Sequence, residues 1–243
     1  MSAKSDLKKV LNERKGRASL CSKWMPRKGM TAVELRNYLK VSPKFYRKML
    51  VNNTKVVETA MCSNEWDNIE FSKVPSLAMT RYTKAFGRHS PEAFQSYIAA
   101  LQSGDPKVKV NASAVYPYDV TKTVEKGNAA LADEMWKALP NYMGDANVLP
   151  LVDVSGSMTW SYGGKLPDGL TPMDVAVSLG LYCSDKNQGA FKDLFLTFTS
   201  SPSWVNLKGT LSQKMRQMET SQWGGSTNLH AAFDKILDVA VKN

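Results

Sequence analysis

The chain has 243 residues, 43% of them hydrophobic and 22% charged, a composition that excludes disordered and fibrous proteins. Its apolar runs are too short for a transmembrane helix, the N-terminus lacks the apolar core of a secretory signal, and the cysteines lack disulfide or zinc spacing. We therefore expect a cytoplasmic protein with no membrane partner. The net charge of +10 is concentrated in residues 1–60, which carry 15 Lys and Arg against 4 Asp and Glu. This asymmetry is typical of polyanion binding, and a solvated basic face is the alternative.

The first half of the chain is predicted to be helical, in short pieces separated by Pro, Gly and Ser. We expect helices from Thr31, from Pro43, over Ser76–Phe86, over Pro91–Leu101 and over Thr121–Leu139. In the second of these, Phe45, Met49 and Val56 are expected on the inner side. The tract from Val110 to Asp119 is predicted to be a loop. No fixed sequence period accompanies this repeat-like order of elements.

Strands and helices alternate from residue 147 onward, which favours a parallel sheet flanked by helices. We expect strands over Val148–Val152, over Leu194–Phe198 and around Trp204, and helices from Pro172, over Leu211–Met218 and over Leu229–Val241. The sequence thus predicts two domains, a basic α-helical module over residues 1–145 and an α/β domain over residues 146–243.

A candidate metal site follows the first expected strand, in the sequence Asp153-Val154-Ser155-Gly156-Ser157. Ligands bind beyond the carboxyl ends of strands in open α/β sheets, and three hard oxygens favour Mg²⁺, Mn²⁺ or Ca²⁺. Thr227, in the glycine-rich loop 224–228, is a candidate fourth ligand. Two structural alternatives remain open at this point: the first motif is a turn with a helix cap, and the second is a plain loop and cap.

A catalytic serine is not predicted, because Ser155 lacks the preceding glycine of a nucleophile elbow and no second acid or well-placed histidine accompanies it. We therefore expect a protein that is not an enzyme.

The order of a strand, Asp-x-Ser-x-Ser, βα alternation and a glycine-rich Thr loop resembles the von Willebrand factor A (VWA) domain with its metal-ion-dependent adhesion site. The resemblance implies that Asp153, Ser155, Ser157 and Thr227 hold a metal ion, directly or through water. In that family the metal keeps an open position for an acidic group of a protein partner. The site is then a binding device and not a catalyst.

Three earlier segments resemble the helical part of Ro/TROVE-type proteins and of an uncharacterised VWA-containing relative. They are Lys23-Trp24-Met25-Pro26-Arg27-Lys28, Val74-Pro75-Ser76 and the tract 111–119. In these proteins a helical-repeat module precedes the VWA domain and binds RNA. The implied fold class is α + α/β, with a helical module followed by a partial VWA-like, Rossmann-like parallel sheet.

One departure concerns the end of the sheet. The VWA family continues past the last helix with a strand that ends in another metal-supporting Asp, whereas this sequence stops at Asn243. We therefore expect a partial sheet with an exposed edge and weak or absent metal binding. The chain is then a fragment, a split gene product, or half of a domain that a second polypeptide completes.

The predicted function is Ro-like, non-enzymatic binding of single-stranded or small structured RNA, as a ribonucleoprotein component. Phosphate contacts are expected from Lys23, Arg27, Lys28, Lys44, Arg47 and Lys48, and base stacking from Trp24 and Tyr46. The alternative is a metal-dependent protein-interaction scaffold without specific RNA binding, in which the basic residues only solubilise the surface.

Overall fold

The computed structural model describes residues 19–159, 169–219 and 225–242, and the chain falls into two units that meet in sequence between Glu70 and Phe71. The described part of the first unit is helical. It contains α1 (Ser19–Trp24), α2 (Gly29–Leu39), α3 (Pro43–Asn53) and α4 (Val57–Cys62).

Local chemistry at both ends of a short connection fixes the start of α3. Lys40 closes α2 in the left-handed conformation, and Ser42 then accepts a hydrogen bond from the Phe45 backbone N–H at 3.2 Å. Pro43, at the first helical position, has the φ angle that a helix requires. The predicted start at Pro43 is confirmed.

The inner face of α3 consists of Tyr46, Met49 and Leu50, which pack on Met25 and Leu35. Their spacing of three and four residues places them on one side of a helix. The expectation for Phe45 is wrong, because this side chain is exposed. The apolar stripe is rotated by one residue from the one predicted.

The helical part of the second unit contains α5 (Ser76–His89), α6 (Pro91–Gln102), α7 (Pro117–Glu125) and α8 (Ala129–Lys137). Its core includes an aromatic cluster whose ring centroids lie 5.1 to 6.5 Å apart, formed by Phe71, Phe86, Phe94 and Tyr97. The single helix predicted over Thr121–Leu139 is wrong. Gly127, with φ of +88°, ends α7, and α8 begins two residues later.

The sheet has three strands in the order β1 (Leu151–Asp153), β2 (Leu194–Phe198) and β3 (Trp204–Asn206). β1 and β2 are parallel, whereas β2 and β3 are antiparallel. The expected all-parallel sheet is therefore wrong, because the short connection between β2 and β3 allows only an antiparallel pair. The described protein is mostly helical with a small mixed sheet, an α+β fold.

Three helices accompany the sheet: α9 (Pro172–Lys186), α10 (Leu211–Glu219) and α11 (Leu229–Lys242). They confirm the predicted helices in this half. α9 connects β1 to β2 and lies so close to the sheet that a Cβ atom on Gly180 would be 2.4 Å from Cγ2 of Val152.

The helical part and the sheet part of the second unit share side-chain contacts. The Trp136 ring packs edge-on against Tyr182 of α9 at 6.3 Å, and its Nε1 donates to Asp185 Oδ2 at 3.1 Å. Tyr182 also donates its hydroxyl proton to the Pro140 carbonyl oxygen at 2.6 Å. The boundary expected between residues 145 and 146 lies inside this unit.

Some surfaces around the sheet lack a neighbour. Within the described residues β1 pairs only with β2, and α11 exposes an apolar stripe of Leu229, Phe233 and Leu237.

No described helix combines the length and hydrophobicity that a bilayer crossing requires. No disulfide joins the three cysteines, all of which lie in the described ranges.

Candidate functional site

The loop after β1 gathers three oxygen-bearing side chains. The Ser155 backbone N–H donates to Asp153 Oδ1 at 2.9 Å, and the Ser155 and Ser157 hydroxyl oxygens are 3.1 Å apart. Ser155 is buried, whereas Ser157 is exposed. The structure therefore brings together the three residues predicted from the Asp-x-Ser-x-Ser motif.

Thr227 belongs to a second loop, which is attached to the end of β2. The Asn228 backbone N–H donates to the Thr199 carbonyl oxygen at 3.2 Å, directly after that strand. Asp153 is opposite Phe198 in the parallel pair, so both loops lie at the carboxyl ends of the parallel strands. The Thr227 side chain is exposed, and no described hydrogen bond joins it to the Asp153 loop. Gly224 of the predicted motif lies outside the described residues.

The donor set of the Asp153 loop is one carboxylate and two hydroxyls. Such oxygens suit a hard divalent cation, and a softer ion would require imidazole or thiolate ligands. The described residues contain no group of three or more His, Cys, Asp and Glu side chains placed to hold a metal. Any cation at this loop would therefore depend on hydroxyl, backbone or water oxygens in addition to Asp153.

The outer face of α3 is basic. Lys44, Arg47 and Lys48 are spaced by three and four residues, are exposed, and contact no carboxylate in the described residues. They lie opposite the buried face of Tyr46, Met49 and Leu50. The helix thus separates an apolar side that folds the unit from a cationic side that faces water.

The remaining residues predicted to bind RNA lie at and after α1. Trp24 is 78% exposed, and the Lys23 ammonium lies 5.8 Å from the centre of its ring. Lys23 also forms an ion pair with Glu58 at 3.4 Å, and an Arg27 guanidinium N–H donates to the Thr54 hydroxyl at 3.4 Å. Lys28 is exposed.

Tyr46 requires a correction. Its side chain is only 2% exposed, and its hydroxyl donates to the Pro26 carbonyl oxygen at 3.1 Å. A ring enclosed in the core cannot stack on a nucleotide base, so the prediction for this residue is wrong. The signal was present in the sequence, because Tyr46, Met49 and Leu50 together have the spacing of a buried helix face.

A cleft in the second unit was not predicted. It lies between α5 and α7 and has a volume of about 580 Å³. Its lining includes Tyr116, Tyr118, Arg81, Lys122 and Lys126. The Tyr-Pro-Tyr sequence at the start of α7 is a usable signal, although the sequence predicts a loop there. The presence of Arg81 in the same cleft depends on the tertiary fold.

Comparisons with known proteins identify two consecutive families. Residues 27–148 match the model described as Domain of unknown function (DUF2828), and residues 147–243 match Domain of unknown function (DUF7788). The chain is also 30% identical over 254 residues to the uncharacterised protein L728 of Acanthamoeba polyphaga mimivirus. This match covers 92% of the chain but only 42% of the viral protein. No solved structure matches the chain.

Proposed function

We propose that this chain, which belongs to the DUF2828 family of domains of unknown function, is a non-enzymatic RNA-binding protein that uses the basic face of α3 and the neighbouring residues Lys23, Trp24, Arg27 and Lys28. The observation that carries the proposal is the exposed triplet Lys44, Arg47 and Lys48, whose charges no described carboxylate neutralises. The resemblance to Ro/TROVE-type proteins stays a prediction, since the matched families have no described function.

The chemistry of the α3 face suits a phosphate backbone. Lysine and arginine side chains that release counterions from phosphates supply a sequence-independent part of the affinity. The exposed Trp24 ring offers a planar surface on which an unpaired base stacks. An unpaired strand offers phosphates and unstacked bases together, so we favour single-stranded RNA or the loops of a structured RNA.

A salt titration tests this function. The full chain and the triple variant Lys44→Ala/Arg47→Ala/Lys48→Ala are titrated with fluorescein-labelled oligouridine by fluorescence anisotropy, from 50 to about 300 mM salt. Each lost phosphate contact reduces the steepness of the log–log salt dependence by roughly 0.7, so the triple variant should lose about 2 from the slope.

A variant with the same change in net charge separates a local site from general attraction. Lys208, Lys235 and Lys242 are exposed in the second unit, and their triple alanine variant should leave the slope nearly unchanged. Equal losses in the two triple variants would show that α3 has no special role. Absence of association at 50 mM salt would remove the proposed function.

The oxygen cluster after β1 favours a second candidate function, a metal-dependent protein-interaction site. Asp153, Ser155 and Ser157 would hold the cation, with Thr227 from the adjacent loop, and a hard divalent ion such as Mg²⁺ would supply a position for an acidic group of a partner. A single carboxylate among the side chains argues for modest affinity. The alternative predicted from the sequence, a protein-interaction scaffold without specific RNA binding, depends on this cluster.

The thermal stability of the chain tests the metal site without requiring the partner. Mg²⁺ at about 100 times its dissociation constant should stabilise the fold by about 2.7 kcal/mol. Asp153→Asn should abolish that gain while keeping an oxygen for the Ser155 N–H. Asp145→Asn, at an exposed carboxylate elsewhere, is the matched control. Identical melting temperatures with Mg²⁺ and with chelator would exclude an occupied site.

A further inference from the structure

The cleft of the second unit is formed by two helical faces. Leu77 and Arg81 lie one turn apart on α5, while Lys122 and Lys126 lie one turn apart on α7 and at its end. Leu170 adds an apolar wall. The volume of about 580 Å³ is within the range of small-molecule sites, which runs from roughly 300 to 1,000 Å³.

One side of this cleft is an ordered aromatic platform. The rings of Tyr116 and Tyr118 are stacked, with centroids 5.4 Å apart and planes 15° from parallel. Tyr116 is nevertheless 65% exposed, so much of its surface remains open to a ligand.

The backbone of Tyr116 is held in place by the first turn of α7. Its N–H donates to Asp119 Oδ2 at 2.8 Å, and its carbonyl oxygen accepts from the Asp119 N–H at 3.0 Å. These reciprocal bonds hold the Tyr116 backbone in place before any ligand arrives, which lowers the entropic cost of binding.

The cations of the cleft fall into two classes. Lys122 is neutralised by Asp174 at 3.1 Å and Glu125 at 3.2 Å. Arg81 is exposed and contacts no carboxylate in the described residues. Lys126 donates to the Thr80 carbonyl oxygen at 3.0 Å. Arg81 is therefore the cation most open to an anionic ligand.

We infer that this cleft binds one unpaired nucleotide of an RNA strand, with the base stacked on Tyr116 and the phosphate beside Arg81 and Lys126. The inference rests on the proposed function and adds a second binding site to it, in the other unit. An apolar ligand would leave the guanidinium without a partner, and a simple anion would leave the exposed tyrosine ring unused. A nucleotide contacts both the guanidinium and the tyrosine ring, since it joins a phosphate to a planar base.

The test compares Tyr116→Ala and Arg81→Gln with wild type in the oligouridine titration. Loss of one stacked base costs about 1–3 kcal/mol, so Tyr116→Ala should weaken binding roughly 5- to 150-fold. Tyr116→Trp should retain it. Arg81→Gln should reduce the salt slope by roughly 0.7. Both positions are exposed, so a melting curve should show folded protein in each case.

Tyr142→Ala is the matched control. Tyr142 is exposed outside the cleft, and its hydrogen bond to the Tyr182 hydroxyl comes from its backbone N–H, which alanine keeps. Crosslinking with 4-thiouridine RNA adds a direct readout, and the modified peptide should contain Tyr116. RNA binding that is unchanged in Tyr116→Ala and Arg81→Gln overturns the inference and leaves the proposed function standing.

Titration with free adenosine monophosphate distinguishes failure of the proposed function from failure of the inference about the cleft. If wild-type protein binds no RNA, the proposed function fails. Saturable binding of the mononucleotide that Tyr116→Ala abolishes would then support the cleft as a nucleotide site. Absence of mononucleotide binding in that case overturns the inference as well.

Discussion

Two sets of positive charges, one on α3 of the first unit and one in the second unit, have different surroundings. On α3 of the first unit, Lys44, Arg47 and Lys48 face water without a carboxylate in contact. In the second unit, Lys122 bridges two carboxylates, and the buried Lys214 donates to Asp185 and, at 2.6 Å, to Asp193. The charges of Lys122 and Lys214 therefore stabilise the fold, whereas the charges on α3 are open to a ligand.

The pKa values of the bridging lysines follow from these contacts. Burial by itself lowers the pKa of Lys214, but its hydrogen bonds to Asp185 and Asp193 outweigh burial and raise the pKa above its ordinary value. The same balance, with Asp174 and Glu125 as partners, raises the pKa of Lys122. Both lysines therefore stay charged at neutral pH, and their stabilising contribution is lost only as the pH rises through their folded pKa values.

The largest expected effect is that of Lys214→Met. The change leaves Asp185 and Asp193 close together without their shared cation, and the unfolding free energy should fall by about 3 kcal/mol. Urea denaturation measures it. RNA affinity should not change, because the Lys214 side chain is only 7% exposed and its ammonium group contacts two carboxylates.

Lys192→Met is the control for this prediction. Its ammonium lies 3.9 Å from Asp193, but the Lys192 side chain is half exposed, so the loss of unfolding free energy should stay below about 1 kcal/mol. Equal losses in the two variants would contradict the assignment of Lys214 to the fold and would remove the contrast between the units.

The next effect concerns packing in the second unit, where α9 crosses β1. Gly180→Ala places a methyl group 2.4 Å from Val152 Cγ2, and we expect a loss of about 1–3 kcal/mol. Gly87→Ala, in α5 with no atom within 4 Å of the added Cβ, should instead stabilise by about 0.5–1 kcal/mol. Urea denaturation of both variants checks the pair. A neutral Gly180→Ala would mean that this helix–strand contact is loose.

Local chemistry made some elements predictable from the sequence. Pro43, Pro91 and Pro172 each begin a helix where expected, because proline has the required φ angle and needs no N–H partner at that position. The strand over Leu194–Phe198 was equally predictable, because its residues form an apolar run. At the candidate metal site, the loop after β1 brings Asp153, Ser155 and Ser157 together within five residues of sequence.

Features that depend on distant contacts were not predictable in the same way. The second unit continues past the boundary expected between residues 145 and 146, and contacts such as that of Trp136 with Tyr182, 46 residues apart in the numbering, join its two parts. The family matches divide the chain instead near residue 147, close to the boundary expected from the sequence. The presence of Arg81 and Tyr116 in one cleft is also a product of the tertiary fold.

A smaller effect, on the pH dependence of stability, concerns Asp174, one of the two carboxylates that Lys122 contacts. Burial by itself raises the pKa of Asp174, but hydrogen bonds from the Thr171 backbone and from Lys122 outweigh it and lower the pKa. The unfolded chain then binds the proton more readily, so stability is present above a pH of about 4 and is lost as the pH falls through the folded pKa.

Asp174→Asn should remove part of this acid sensitivity and cost about 1 kcal/mol at neutral pH. Urea denaturation at a series of pH values measures both quantities, with Asp145→Asn as the exposed control. A pH profile that is identical to wild type would show that the Lys122–Asp174 bridge does not stabilise the second unit.

The smallest effect on stability is expected from the variant that tests the proposed RNA-binding face of α3. In the triple variant Lys44→Ala/Arg47→Ala/Lys48→Ala, no ion pair is lost, and repulsion between like charges one turn apart is relieved. The unfolding free energy should therefore change by less than about 0.5 kcal/mol. Urea denaturation and the oligouridine titration should be run on the same preparation. A loss above about 1 kcal/mol would show that these cations hold the first unit together, and charge on α3 would then have the same use as charge in the second unit.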